Sequence, residues 1–393
     1  MLHQLINLSP DLKKLRDEGY ELEIKGGYIC IHHIPYVNVK KEVKLGILIC
    51  PLSLASPTLA SRPPDHTMHF MGEHPCHKDG VIMNEIINSS PNQLLFEGMI
   101  GNHYFSSKPA KGNYDDYYEK FSRYIQILSA PAKSLNGSVT ANTFKPFVDN
   151  DPVGVFNYFD TNSSRANIFA VNEKLVHQKI AIIGLGGTGS YILDLVAKTK
   201  VSEIHLFDAD DFSQHNAFRS PGAPSIEELN EGKKKVIYFA EIYSKMRKGI
   251  VPHVNYISKD NGHILKDMSY VFICIDRNSA RNEIIAELLK MNVSFVDVGL
   301  GVQLVDDKLI GIVRTTVGTP ENKEHLEKRI PSVDTDINEY ATNIQIADLN
   351  LLNAGLAVIK WKKLCGFYED LIDEYHSTYS INVAELINGD TRV

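Results

Sequence analysis

Cysteine is scarce in this 393-residue chain, and the pattern gives it no partner. The five (Cys30, Cys50, Cys76, Cys274 and Cys365) are scattered, odd in number and form no CxxC pair. Neither a disulfide framework nor a zinc knuckle is expected. His66, His69, His74, Cys76 and His77 crowd one stretch, HTMHFMGEHPCHKDG, but their spacing fits no standard zinc template, so structural zinc is not expected there. Long apolar runs are missing as well, and no segment is expected to span a bilayer. The opening stretch MLHQLINLSPDLKKLRDEGY has no uninterrupted apolar core and no small-residue cleavage site. It is not expected to be a signal peptide, and the cytoplasm is the expected compartment. A surplus of positive charge is absent: 41 Lys and Arg against 48 Asp and Glu give a formal charge of -7. That argues against a nucleic-acid partner, which would need a basic face.

What remains is an ordinary globular composition, 43% hydrophobic and 23% charged, in a chain long enough for two domains that each bury a core. The halves differ in pattern. Residues 20–50 show short β-prone runs broken by Gly-Gly and Pro, which predicts a small sheet. A Pro-rich loop follows, and then YDDYYEKFSRYIQILSAPAKS predicts a helix with Tyr117, Phe121, Tyr124 and Leu128 on one face. Polar, glycine-bearing sequence over 134–152 reads as a linker. The second half alternates: strand KIAIIGL, a helix from about Gly189 to Lys200, strand EIHLFDAD, a helix in GKKKVIYFAEIYSKMRK, then VPHVNYI, strand YVFICID, helix NSARNEIIAELLKM and strand VSFVDVGL. The predicted fold is α/β: a Rossmann-like, doubly wound, mainly parallel sheet over 151–393, preceded by a smaller α+β domain over 1–150. Ligands of such a sheet sit beyond the carboxyl ends of its strands. Near the C-terminus, ADLNLLNAGLAVIKWKKLCGFYEDLI reads as a helix that packs on the sheet or on a second subunit.

Between the first strand and helix of the second half stand Gly184, Gly186, Gly187, Gly189 and Ser190, in GLGGTGS. Glycines there let the backbone approach a phosphate, and the helix start offers free N–H groups. Asp208 ends the next strand, where a carboxylate can accept from ribose hydroxyls. NAD and ATP would both suit this much. The residues beyond separate them better: Asn216 and Arg219 follow in HNAFRS, a lysine run in EGKKKV, and Asp276 ends FICID. Attack of a carboxylate on the α-phosphate of ATP gathers charge on phosphoryl oxygens and departing pyrophosphate. Fixed cations and a magnesium-holding carboxylate stabilise that charge.

These residues resemble the ThiF/MoeB/ubiquitin-activating-enzyme superfamily, whose members adenylate the C-terminal glycine of ubiquitin-like proteins. The GxGGxGS loop is matched in full. The resemblance implies that Asp208 and Asn216 bind the ribose side of ATP. Arg219 and Lys235 would act on its phosphates, and Asp276 would hold Mg²⁺. Arg281 matches the family's Arg that follows that Asp. The NLxRQ segment reads NAFRS here, without its Gln, and Lys233 and Lys234 compete with Lys235 for the family's GxxK lysine. A looser match makes Arg165, in NSSRANIF, the residue that reaches the ATP of a partner subunit, which implies a homodimer. The family's RYxRQ signature is not reproduced there. The first 150 residues resemble an accessory domain fused to such enzymes in bacterial ubiquitin-like conjugation operons. The implied partners are a ubiquitin-like or sulfur-carrier protein ending in Gly and a conjugating enzyme.

A thioester step would need a nucleophilic Cys. Cys76, flanked by His74 and His77 in an expected loop where imidazole would lower its pKa, and Cys365, on an apolar helix, are the two considered; a structural Cys is the expectation for both. The polar loop 318–343 reads either as a solvated connection or, by the resemblance, as the crossover above a substrate tail. Two rival functions stay open: an NAD(P)-dependent oxidoreductase and a catalytically inactive scaffold of the same fold.

Overall fold

A computed structural model describes residues 2–56, 58–145, 154–158, 160–166, 168–331 and 344–391. The chain divides into two compact units, residues 1–152 with 159–166, and residues 153–158 with 167–393.

The first unit is built on a six-stranded antiparallel sheet, in the order Leu22–Lys25, Tyr28–Val37, Val43–Pro51, Thr67–Met71, His103–Ser106 and Ile87–Ser89. The expected helix runs Tyr117–Leu135 and opens on Asp116, whose side chain accepts the Glu119 amide at 2.7 Å. Such a cap satisfies one of the free N–H groups of the first turn. Tyr117, Phe121, Tyr124 and Leu128 are all fully buried, as the helical spacing requires. Lys120 lies on the same buried face, its ammonium 3.1 Å from the Cys50 sulfur and 3.4 Å from Asp65.

The second unit is an eight-stranded sheet in the order Ile250–His253, Glu203–Phe207, Lys179–Ile183, Tyr270–Ile273, Phe295–Val305, Lys308–Gly318, Glu374–Ser380 and Glu385–Thr391. The first five are parallel and the last three antiparallel. From Lys179–Ile183 the chain steps outward on one side to Glu203–Phe207 and Ile250–His253, then crosses back to Tyr270–Ile273 on the other. That reversal opens a crevice at the carboxyl ends of the two central strands. The central strands are buried along nearly their whole length, as a sheet covered on both faces must be. Ile180, Ile182, Phe272 and Val296 join Leu193, Val196 and Trp361 in one core; Ala181, Ile183, Val271 and Ile273 join Ile284 and Leu288 in the other. Each such large apolar side chain contributes about 1.5–3 kcal/mol.

Three features depart from the sequence reading. The helix after the glycine loop spans Gly187–Ala197, starting earlier than expected. The C-terminal helix runs only Ala347–Leu364, because Gly366 takes a left-handed conformation (φ 65°) and returns its N–H to Lys363, and Phe367 returns its N–H to Lys362. Beyond it lies a hairpin, Glu374–Ser380 with Glu385–Thr391, that extends the sheet. The other long hairpin turns at Asp306 and Asp307, both with positive φ. That is the backbone a tight two-residue hairpin turn demands.

Of the 318–343 loop, 332–343 lies outside the described residues; the part before it is largely exposed but anchored by a few buried residues. His325 meets the Val317 carbonyl at 2.8 Å, and Leu326 and Ile330 are buried in the second core. Among the described residues no helix is long and apolar enough to cross a membrane.

Candidate functional site

The glycine loop leaves the Lys179–Ile183 strand through Gly184 (φ 88°), and a Cβ there would come within 2.6 Å of the Cys274 carbonyl oxygen. Only glycine fits that crossing. Gly187 is pressed by Asn350 and Gly189 by the Gly184 carbonyl, so these glycines answer to the protein's own packing. Gly186 differs: a Cβ on it would meet nothing within 4 Å. Its missing side chain leaves open space at the start of the helix, where N–H groups lack partners. Ser190 is turned inward, its hydroxyl donating to the Gly187 carbonyl at 2.8 Å.

Asp208 follows the Glu203–Phe207 strand and is buried. One oxygen accepts the Leu185 amide at 2.7 Å and the other the Asp210 amide at 2.8 Å, which fixes the carboxylate against the glycine loop. Each oxygen keeps a lone pair for a further donor. Of the three consecutive lysines, Lys233 and Lys234 pair at the surface with Glu231, Glu241 and Asp211. Lys235 alone is buried and turned inward, its ammonium 2.7 Å from Asp210 and 3.7 Å from Asp208. Burial by itself would raise the Asp210 pKa; Lys235 and the Tyr256 hydroxyl hold it below the usual carboxylate value.

Asn216 is buried on the short helix Gln214–Ala217, its oxygen accepting the Ser213 amide at 2.9 Å. Its Nδ2 is buried and has no hydrogen-bond partner, and the same holds for Nε of Arg219. Leaving such groups unpaired costs about 1–3 kcal/mol each, so these two donors, three residues apart, are available to a ligand that brings acceptors. Burial pushes the Arg219 guanidinium below its ordinary pKa, and the carboxylates of Asp276 and Asp210 partly oppose that fall.

Asp276 stands exposed at the crevice, between the Tyr270–Ile273 strand and the Asn278–Met291 helix. Arg281 is buried on that helix and donates to the Ile275 carbonyl at 2.5 Å and to the Asn278 side chain. Among the described residues no group of three His, Cys, Asp or Glu side chains could hold a metal ion. A lone exposed carboxylate suits a cation that arrives with phosphate oxygens, as magnesium does.

The crevice thus gathers the four glycines, Asp208, Asn216, Arg219, Lys235 and Asp276. The side chain of Arg165 lies outside the described residues, and its helix, Thr161–Ala166, belongs to the first unit. Sequence reasoning missed Asp210 and Asn350. Asn350 is buried on the C-terminal helix; its oxygen accepts from Thr188 at 3.0 Å and its Nδ2 donates to the Arg219 carbonyl at 3.3 Å, joining glycine loop to arginine segment. The second Asp of the DAD triplet was a visible signal for Asp210; nothing in the sequence pointed to Asn350.

The cysteines correct one expectation. Cys76 is fully buried rather than looped out, its thiol donates to the His74 carbonyl, and burial raises its pKa instead of imidazole lowering it. Cys365 is pushed up to about 11 by burial, and Cys274 is also raised, chiefly by burial.

Residues 163–304 match the ThiF family, and residues 10–161 match a domain of unknown function, DUF6791. Over 183 residues the chain is 26% identical to the tRNA threonylcarbamoyladenosine dehydratase of Haemophilus influenzae, a match that covers 41% of this chain and 67% of that protein. Among solved structures it is similar to E. coli MccB with succinimide (18% identity, TM-score 0.47, 60% of this chain and 73% of that one). It is also similar to E. coli MccB with ATP (17%, 0.46, 73% and 81%) and to PaaA (15%, 0.44, 56% and 75%).

Proposed function

From the premise that residues 163–304 are a ThiF-family domain, we propose that the chain is an ATP-dependent adenylyltransferase. Its substrate in this reading is the C-terminal glycine carboxylate of a ubiquitin-like or sulfur-carrier protein. The carboxylate oxygen attacks the α-phosphorus of ATP, the bond to the β-phosphate oxygen breaks, and acyl-adenylate and pyrophosphate result.

The observation that carries the reading is the pair of unpartnered buried donors, Asn216 Nδ2 and Arg219 Nε, in a crevice that also holds an inward lysine and an exposed carboxylate. Asp208 and Asn216 take the ribose side; Gly186 leaves the backbone open to phosphate, and Gly184, Gly187 and Gly189 let the loop fold tightly enough to present it. The Ser190 hydroxyl supports that loop from within. Arg219 and Lys235 neutralise the phosphates as pyrophosphate departs. Magnesium, held by Asp276 and by phosphate oxygens, would supply further neutralisation. No general base is needed, since a peptide carboxylate is ionised at pH 7. Arg165 would act from the partner subunit of a homodimer.

The test is ATP–pyrophosphate exchange with a small protein ending in Gly-Gly, in parallel with NAD binding. Exchange that disappears in Asp276→Ala, in a variant that still melts like the parent, supports the reading. NAD binding without ATP binding overturns it in favour of an oxidoreductase.

A further inference from the structure

Asp297 sits on the strand beside the one that leads to Asp276, paired in parallel register with Ile273. Its carboxylate is fully buried between two guanidiniums: Arg281 Nε lies 2.9 Å from one oxygen as an ion pair without hydrogen-bond alignment, and Arg314 Nη2 donates to the other at 2.6 Å. Taking three ions out of water carries a penalty of several kcal/mol per ion, and apolar side chains of like volume would make at least as stable a core. Such a cluster is weak evidence for stability, and the hydrogen bonds of Arg281 show which part of the fold it ties down.

Its two terminal nitrogens donate to the Ile275 carbonyl and the Asn278 side chain, the two residues that bracket Asp276 and Arg277. The same turn is the floor of the glycine loop, since the Cys274 carbonyl is what would meet a Cβ on Gly184. Arg314 faces the other way. It donates to Thr316 at 2.8 Å, lies across Gly299, and has no hydrogen bond to the turn.

We propose that Asp297 and Arg281 are positioning residues. Asp297 anchors the Arg281 guanidinium by its charge, and Arg281, through its two hydrogen bonds, fixes the Cys274–Asn278 turn. That turn sets the direction of the Asp276 carboxylate and the seat of the glycine loop. The proposal rests on the reading of Asp276 as the magnesium-binding carboxylate.

The test compares Arg281→Lys, Asp297→Asn and Arg314→Lys with the parent. A lysine keeps the charge but cannot reach carboxylate, carbonyl and amide together. Two quantities are measured: hydrogen exchange of the 274–278 amides, and the magnesium concentration that half-saturates ATP binding by calorimetry. Arg281→Lys and Asp297→Asn should speed exchange at 274–278 and raise the magnesium half-saturation about tenfold, the scale at which an outer partner tunes a metal site. Arg314→Lys should lower the melting temperature and change neither quantity. Equal effects from Arg281→Lys and Arg314→Lys, or an unmoved half-saturation in Arg281→Lys, overturn the positioning role. If the parent binds no ATP, the adenylation reading falls. The exchange pattern then still decides whether Arg281 holds the turn: selective loosening at 274–278 keeps that part, and uniform loosening removes it.

Discussion

The ammonium of Lys235 lies 2.7 Å from the carboxylate of Asp210, which already accepts from Tyr256. On the adenylation reading, the cation proposed to meet phosphate is thus engaged by a protein carboxylate in the free protein. Incoming phosphate must compete with it, and Asp210 would repel the same phosphate. Asp210→Asn should therefore lower the Kd for ATP by about threefold to tenfold, and Lys235→Met should raise it at least as much, by the scale of a charge-assisted hydrogen bond. Calorimetry at one fixed salt concentration reads both; weaker binding in Asp210→Asn means that Asp210 helps hold the nucleotide.

Arg247 is almost wholly buried and donates to the carbonyls of Lys248, Thr199, Ala197 and Val201, where the Gly187–Ala197 helix ends. Burial lowers its pKa to about 10, still charged at neutral pH. Arg247→Met would strand several carbonyls without a donor, and the expected loss is about 3 kcal/mol. A loss of unfolding free energy below about 1 kcal/mol by urea titration would show that water replaces the guanidinium.

His376 is buried, and its pKa falls to about 4 because burial, and then Arg329 and Arg314, disfavour the imidazolium. Its Nδ1 lies 3.0 Å from the Thr316 hydroxyl, which can donate to the neutral ring. The unfolded chain binds this proton near pH 6.5 and the folded one only near 4, so the unfolded state holds more protons between those values. The contribution is complete above pH 6.5 and is lost as pH falls toward 4. His376→Gln should flatten the slope of stability against pH in that window; an unaltered slope assigns it to other groups.

Cys76 and Cys365 are both raised in pKa by burial, and the reactive form of a thiol is the thiolate. Neither should carry a substrate. The double variant Cys76→Ala, Cys365→Ala should keep full pyrophosphate exchange and the same yield of any thiol-sensitive adduct. Loss of the adduct alone would make one of them the acceptor.

Much of the second unit was legible because its signals are local. Strand, glycine turn and helix follow one another within twenty residues, and Gly184, Gly187 and Gly189 are imposed by contacts inside that unit. The resemblance picks Lys235 over Lys233 and Lys234 by its spacing after Gly232; that it alone is buried depends on how the chain turns into the Lys235–Ser244 helix, which the sequence does not display. Asn350 was invisible for a related reason: its partners, Thr188 and the Arg219 carbonyl, lie far away in sequence. The terminal hairpin followed a helix expected to run on, and a glycine in left-handed conformation ended it. A structural role is the expectation for Cys76, and it is buried against Val37 and Ala132; only the loop setting suggested by its neighbouring histidines differs, because tertiary packing decides its environment.

The most direct measurement is a crystal structure with ATP and magnesium. Asn216 Nδ2 and Arg219 Nε should each gain an acceptor from the nucleotide, Lys235 should swing from Asp210 to a phosphate, and Asp276 should face the metal. Nucleotide bound elsewhere, with Asn216 and Arg219 still unpaired and Lys235 still on Asp210, would contradict the account.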